Sequence, residues 1–309
     1  MDSLGPYHEG EIAVQERTGE RATAVHHGAL IRDTLTAPAR EFLAVQRTVA
    51  LASLDELGQP WASLWIGAPG FVKCDAEGSV RVSRRLLAPA PRDPVRPLLS
   101  EGSAIGMLAI DLASRRRLRI NGVVAVDDED ALSISLRETW PNCTQYIQRR
   151  ELIVEGRPWV SRSARSGTVL DDELRLFVEN VDTLFVASRH PTRGVDVSHR
   201  GGERGFVHVI DERTLRFPDY AGNSMFQTLG NLTVDPRCGV VMVDFERGRL
   251  LSLIGTSTVT YGTEDPRQPT GGTGRYWTLG VRQWLEFSMP DGLAFRFVER
   301  SPHNPSADL

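Results

Sequence analysis

Three cysteines in 309 residues, Cys74, Cys143 and Cys238, are too few and too far apart for a disulfide framework or a cysteine metal site. An odd, low count fits a reducing cytoplasm, the expected location. Charge of one sign is also missing. The 36 Lys and Arg against 40 Asp and Glu leave a formal net charge of -4. That excludes the broad basic footprint of nucleic-acid or anionic-membrane binding. No apolar run approaches the roughly 20 residues of a membrane helix. The opening MDSLGPYHEGEIAVQERTG has neither the basic start nor the apolar core of a secretory signal. No nucleophile triad, metal-ligand cluster or Walker-type loop is legible, so no metal is expected. What remains is ordinary: 40% hydrophobic and 25% charged residues, the balance of a soluble globular protein of roughly two domains.

The chain repeats itself. REFLAVQRTVALAS from Arg40 resembles LRLFVENVDTLFVAS from Leu174, and GFVKCDAEGSVRV from Gly70 resembles GFVHVIDERTLRF from Gly205. Phe42 and Phe177, like Gly70 and Gly205, stand 135 positions apart. Later blocks keep a spacing of 133, with Asp111 matching Asp244. Four blocks in one order imply two copies of one β-rich unit. The expected division is a helical arm over 1–36, a first unit over 37–140 and a linker over 141–169. A second unit over 170–300 and a tail over 301–309 follow. Within the linker, TQYIQRREL reads as a helix. RSARSG (162–167) reads as a flexible basic loop, and Pro290-Asp291-Gly292 as the turn of a final hairpin.

The stretch DYAGNSMFQTLGNLTVDPRCGVVMVDFERGRLLSLIG, 219–255, organises the second unit. Asn223 and Ser224 are good helix caps, and Met225, Leu229 and Leu232 form one apolar face. Pro236 stops the helix, and Cys238 to Val243 is a buried strand. A helix start can bind an anion. The same pair would also serve as an ordinary cap. Just upstream, SHRGGERG (198–205) brings a hydroxyl, an imidazole, a guanidinium and small residues together. Arginine grips phosphate with paired donors, and glycines let a ligand approach the backbone. The first copy carries the proline-rich LLAPAPRDPVRP (86–97) in place of the helix start, so it reads as the degenerate copy.

With these segments, and with YHEGEIAVQERTG, NCTQYIQRREL and ERSPHNP, the chain resembles the pyridoxamine 5′-phosphate oxidase-related FMN-binding proteins. That resemblance implies a mainly β (α+β) fold of two tandem split β-barrels, antiparallel and Greek-key-like, with short peripheral helices. It implies FMN as cofactor, a homodimer, and a small-molecule substrate. Carried over by position, the cofactor-binding candidates are Ser198, His199, Arg200, Tyr220, Asn223, Ser224 and Gln227. Trp61 and Trp65 would line the open face of the ring. The family enzyme's own Ser-Arg-Lys helix start is not reproduced here, which separates the chain from pyridoxamine phosphate oxidation itself. The expected activity is an FMN-dependent oxidoreductase moving hydride at flavin N5, with His199 as proton relay by its near-neutral pKa. The alternative is a flavin or haem carrier or sensor without turnover, with His199 or His208 as haem ligand.

Overall fold

The computed structural model describes residues 5–88, 90, 92–154 and 164–305. The start of the expected basic loop, Arg162 and Ser163, lies outside the described residues, as does the end of the tail. Three helices lead the chain: α1 (Glu9–Arg17), α2 (Arg21–Gly28) and α3 (Ala37–Ala44). Thr36 caps α3 and Pro38 sits in its first turn, where a missing N–H costs nothing. Strands β1 (Thr48–Leu54), β2 (Pro60–Ile66), β3 (Val72–Cys74), β4 (Val80–Ser83), β5 (Ala104–Asp111), β6 (Arg116–Asp127) and β7 (Ala131–Asn142) follow. After β8 (Arg149–Val154) and β9 (Arg165–Gly167) comes α4 (Asp172–Asn180), capped by Asp171. The second half continues with β10 (Thr183–His190), β11 (Gly194–Gly201), β12 (His208–Asp211), β13 (Thr214–Pro218) and α5 (Gln227–Val234). It ends with β14 (Arg237–Asp244), β15 (Arg249–Thr260), β16 (Tyr276–Ser288) and β17 (Leu293–Glu299).

The fold is mainly β, and its sheets are antiparallel and not closed. The first sheet runs β2-β1-β5-β6-β7-β4-β3 and the second β11-β10-β14-β15-β16-β13-β12. These are one order written twice. Register agrees residue by residue: Leu51 pairs with Ser63 and Met107, as Val186 pairs with Ser198 and Val240. The shorter central strands, such as β14, follow from apolar runs long enough for strands but too short for helices.

The halves pack reciprocally, and two glycines show how closely. A Cβ on Gly106 of β5 would lie 2.7 Å from the Val195 carbonyl oxygen of the second half. A Cβ on Gly239 of β14 would lie 2.4 Å from the Pro60 carbonyl oxygen of the first. Behind them one apolar cluster takes Leu64 and Leu108 from one half and Phe185, Val197 and Val241 from the other.

Four local expectations are corrected. The described end of RSARSG is not a loop but strand β9, which pairs with β16. TQYIQRREL is not a helix: Tyr146 takes a φ of 64°, and β8 then pairs with β17. For the same reason β17 does not close a hairpin with β16. In the second half the helix starts at Gln227, not at Asn223-Ser224, because Ser224 and Phe226 both adopt φ of 59°. Left-handed backbone at two non-glycine residues cannot continue into a helix.

Candidate functional site

A cleft opens where the outer end of β11, the loop from Asp219 to Phe226 and the start of α5 meet β6 and the segment after β7. Its cavity volume is about 100 Å³, and it opens to solvent. Ser198, His199, Arg200, Tyr220, Asn223, Ser224 and Gln227 all line it. Trp61 and Trp65 do not line it. They sit on β2, the counterpart of β11, where Trp61 Nε1 donates to Asp55 and Trp65 Nε1 to Asp93.

The first half contributes Arg117 and Arg119. Alternation along β6 puts these two guanidiniums on one face and Leu118 and Ile120 on the other. Arg119 is 2% exposed, and it donates through Nη1 to Asp196 Oδ1 at 2.7 Å and through Nη2 to Ser198 Oγ at 2.6 Å. Asp196 also accepts from Asn121 Nδ2 at 2.6 Å and Asn231 Nδ2 at 2.8 Å. Arg117 has no carboxylate partner among the described residues. It donates to the Cys143 carbonyl through Nε at 2.7 Å and faces His199 Nδ1 through Nη1 at 3.3 Å. Arg200 donates through Nη1 to the His199 carbonyl at 3.2 Å and makes a long ion pair, 3.7 Å, to Asp219. Asp219 itself accepts from Arg275 Nε at 2.9 Å.

Three guanidiniums therefore crowd a low-dielectric cleft with too few carboxylates to balance them. Burial pushes the Arg117 guanidinium down to about 9, and neighbouring Arg200 and Arg119 push in the same direction. Arg200 is also lowered, first by burial, with Asp219 pulling it back up. His199 is held well below its ordinary value by burial and then by the charges of Arg117, Arg200 and Arg150. A guanidinium can only donate, so His199 Nδ1 must accept from Arg117 and the ring hydrogen sits on Nε2. His199 is thus a neutral donor, and the expected near-neutral titration does not hold.

The cleft has donors without partners. Arg119 Nε, Arg200 Nε, His199 Nε2, Gln227 Nε2 and Thr228 Oγ1 are buried and make no hydrogen bond. Buried polar groups in native proteins are almost always paired, so a cluster of such donors calls for an acceptor from outside the chain. A compact multivalent anion fits that set. Asn223 and Ser224 are differently placed. Ser224 Oγ donates to Glu20 Oε2 at 2.6 Å, and Asn223 Oδ1 accepts from the Met225 N–H at 3.2 Å. Both shape the loop more than they offer free donors. At the mouth, the rings of Tyr146 and Tyr220 lie 4.9 Å apart and inclined by 40°, an aromatic flank.

No protein-family model and no curated protein matches the chain. Solved structures similar to it include HupZ of Group A Streptococcus, at 15% identity and a TM-score of 0.31, covering 40% of this chain and 98% of that one. A candidate pyridoxamine 5′-phosphate oxidase of Lactobacillus delbrueckii is similar at 11% identity and 0.31, covering 41% and 98%. The inhibitor of motility MotI/DgrA of Bacillus subtilis is similar at 10% and 0.21, over 77% of this chain and 88% of that one. No helix among the described residues is long and apolar enough to cross a membrane.

Proposed function

We propose that the cleft holds the phosphate of FMN and that the protein is an FMN-dependent oxidoreductase acting on a small molecule. One observation carries this reading: a surplus of guanidiniums beside a cluster of buried donors, Arg119 Nε, Arg200 Nε, His199 Nε2, Gln227 Nε2 and Thr228 Oγ1, that have no acceptor among the described residues. Bound there, FMN would supply the redox chemistry by exchanging hydride at its ring nitrogen N5. The chain's own residues bind and orient. Arg117 and Arg200 offset phosphate charge. Ser198 Oγ already accepts from Arg119, so its hydrogen is free to donate to the ligand. Gln227 and Thr228 add donors at the start of α5, where the helix dipole also favours an anion. The Tyr146–Tyr220 flank would cover an aromatic ring and exclude water. His199, neutral, donates from Nε2 and keeps its place beneath the guanidiniums. Residues of both sheets complete the cleft within one chain.

The absorbance spectrum of the purified protein, before and after added FMN, tests the reading. Flavin bands that bleach with a nicotinamide donor and return with an acceptor support the enzyme. Flavin bands that never bleach support a carrier, and a Soret band supports haem. Protein that neither carries nor binds flavin removes the proposal.

A further inference from the structure

The likeness of the two halves extends to the mate of this cleft. Ser63 stands on β2 where Ser198 stands on β11, and Trp65 where Arg200 stands. Each chain segment then passes through left-handed backbone, at Arg92 with φ 62° and at Ser224 and Phe226 with φ 59° each. A helical turn follows each, at Arg96–Leu98 and in α5. The side chains differ. Through the register of β5 with β6 and of β14 with β15, Arg117 and Arg119 correspond to Leu250 and Ser252. The mate has lost all three guanidiniums.

In their place it holds one carboxylate. Asp93 is 8% exposed. Its Oδ2 accepts from Ser63 Oγ and, at 2.9 Å, from Trp65 Nε1. Its Oδ1 accepts from the N–H groups of Val95 and Arg96, each at 2.9 Å. Three of these four partners are N–H groups that can only donate, so the geometry suits the ionised form. Burial holds the Asp93 pKa above its ordinary value, and these four donors limit the rise.

We propose that Asp93 is a built-in anion. Its carboxylate occupies, in the first half, the seat that a free anion takes in the second, so each chain has one open anion seat and one that it fills itself. This rests on reading the cationic cleft as an anion site. Both seats share a strand hydroxyl (Ser63 or Ser198), a donor two residues further on (Trp65 or Arg200) and donors from the next helical turn, the Val95 and Arg96 N–H groups in one and the Gln227 and Thr228 side chains in the other. A tethered carboxylate loses no translational freedom on binding, so its seat manages with neutral donors. A free anion must be drawn out of water, so its seat uses guanidiniums.

Chemical rescue tests this. Asp93→Ala leaves four converging donors around a space the size of a carboxylate. Unfolding midpoints of wild type, Asp93→Ala and Asp93→Asn are measured at pH 7 in sodium chloride, formate and phosphate of equal ionic strength. Asp93→Ala is expected to melt lower than wild type in chloride. Formate, the detached carboxylate, should raise it by several degrees more than it raises wild type. Asp93→Asn should also melt lower but show no such excess, because the amide fills the space and cannot accept at both ends. If Asp93→Ala folds only in formate or phosphate, that supports the proposal equally. Equal shifts for wild type and Asp93→Ala overturn it, as does Asp93→Asn matching wild type in chloride, or Asp93→Ala staying unfolded in all three salts. Arg200→Ala separates the two readings: it should remove the phosphate-dependent rise of wild type while the formate rescue of Asp93→Ala persists in the double variant.

Discussion

Arg119 of the first sheet and Ser198 of the second are joined by a 2.6 Å hydrogen bond, and both line the cationic cleft. The contact that locks the halves together is therefore also a wall of the site. Arg119 ties Asp196 as well, in a pair whose side chains are 2% and 14% exposed. Removing one partner of such a pair strands the other charge in a low dielectric. Arg119→Met is expected to cost about 3–5 kcal/mol of stability, the usual range for a broken buried pair. Urea unfolding measures it. A loss below about 1 kcal/mol would mean that the Arg119–Asp196 pair does not hold the halves together.

Arg200 presents the opposite case. Its ion pair to Asp219 is long, and Asp219 keeps Arg275 when Arg200 is gone. Arg200→Ala should thus fold normally and lose ligand. A charged hydrogen bond of about 1.5–3 kcal/mol predicts roughly 10- to 150-fold weaker FMN binding. Flavin fluorescence titration at two salt concentrations checks both the loss and its electrostatic origin. Unchanged flavin affinity would take Arg200 out of the site.

Much of this was legible in the sequence, for a definite reason. The matching blocks keep strand register, so Ala52-Ser53 and Ala187-Ser188 mark equivalent strands. Ser198, His199 and Arg200 were legible together because one strand carries all three. Arg117 and Arg119 were missed. Their alternation with Leu118 and Ile120 was visible, but their partners lie about eighty positions away, on a strand that only packing brings near. Trp61 and Trp65 misled because β2 serves the mate of the cleft. The helix start was misplaced because φ of 59° at Ser224 and Phe226 has no local sequence signal in residues other than glycine.

Gly106 and Gly239 give a matched pair of packing tests. Each faces a backbone carbonyl of the other half, which cannot swing aside as a side chain can. Gly106→Ala and Gly239→Ala should each lose about 1–3 kcal/mol, the range for overpacking. Denaturant unfolding of the two variants checks it. One variant losing stability while the other does not would show that the two contacts are not equivalent.

His8 makes stability depend on pH in a direction that can be worked out. Its Nδ1 accepts from the Gly10 N–H at 3.2 Å, so Nε2 carries the hydrogen and meets Asn231 Oδ1 at 3.0 Å. Burial first, and the neighbouring His190 second, lower its pKa from 6.5 to about 4. Above pH 6.5 the ring is neutral folded or unfolded and contributes no slope. Between 6.5 and 4 the unfolded chain takes up the proton and the folded one does not, so stability falls as pH falls. One such group gives at most about 1.4 kcal/mol per pH unit. His199, also held low, acts in the same sense. Glu11 acts in the opposite sense, because burial holds its carboxyl well above the usual range and deprotonation favours the unfolded chain. The net slope of wild type mixes these groups, so the measurement is a difference. His8→Gln removes one titrating group while keeping an amide hydrogen for Asn231. Its stability should fall less steeply from pH 6 to pH 5 than that of wild type, by about 1 kcal/mol per unit. Coincident slopes over that interval would show that His8 is not a group that the folded chain keeps neutral.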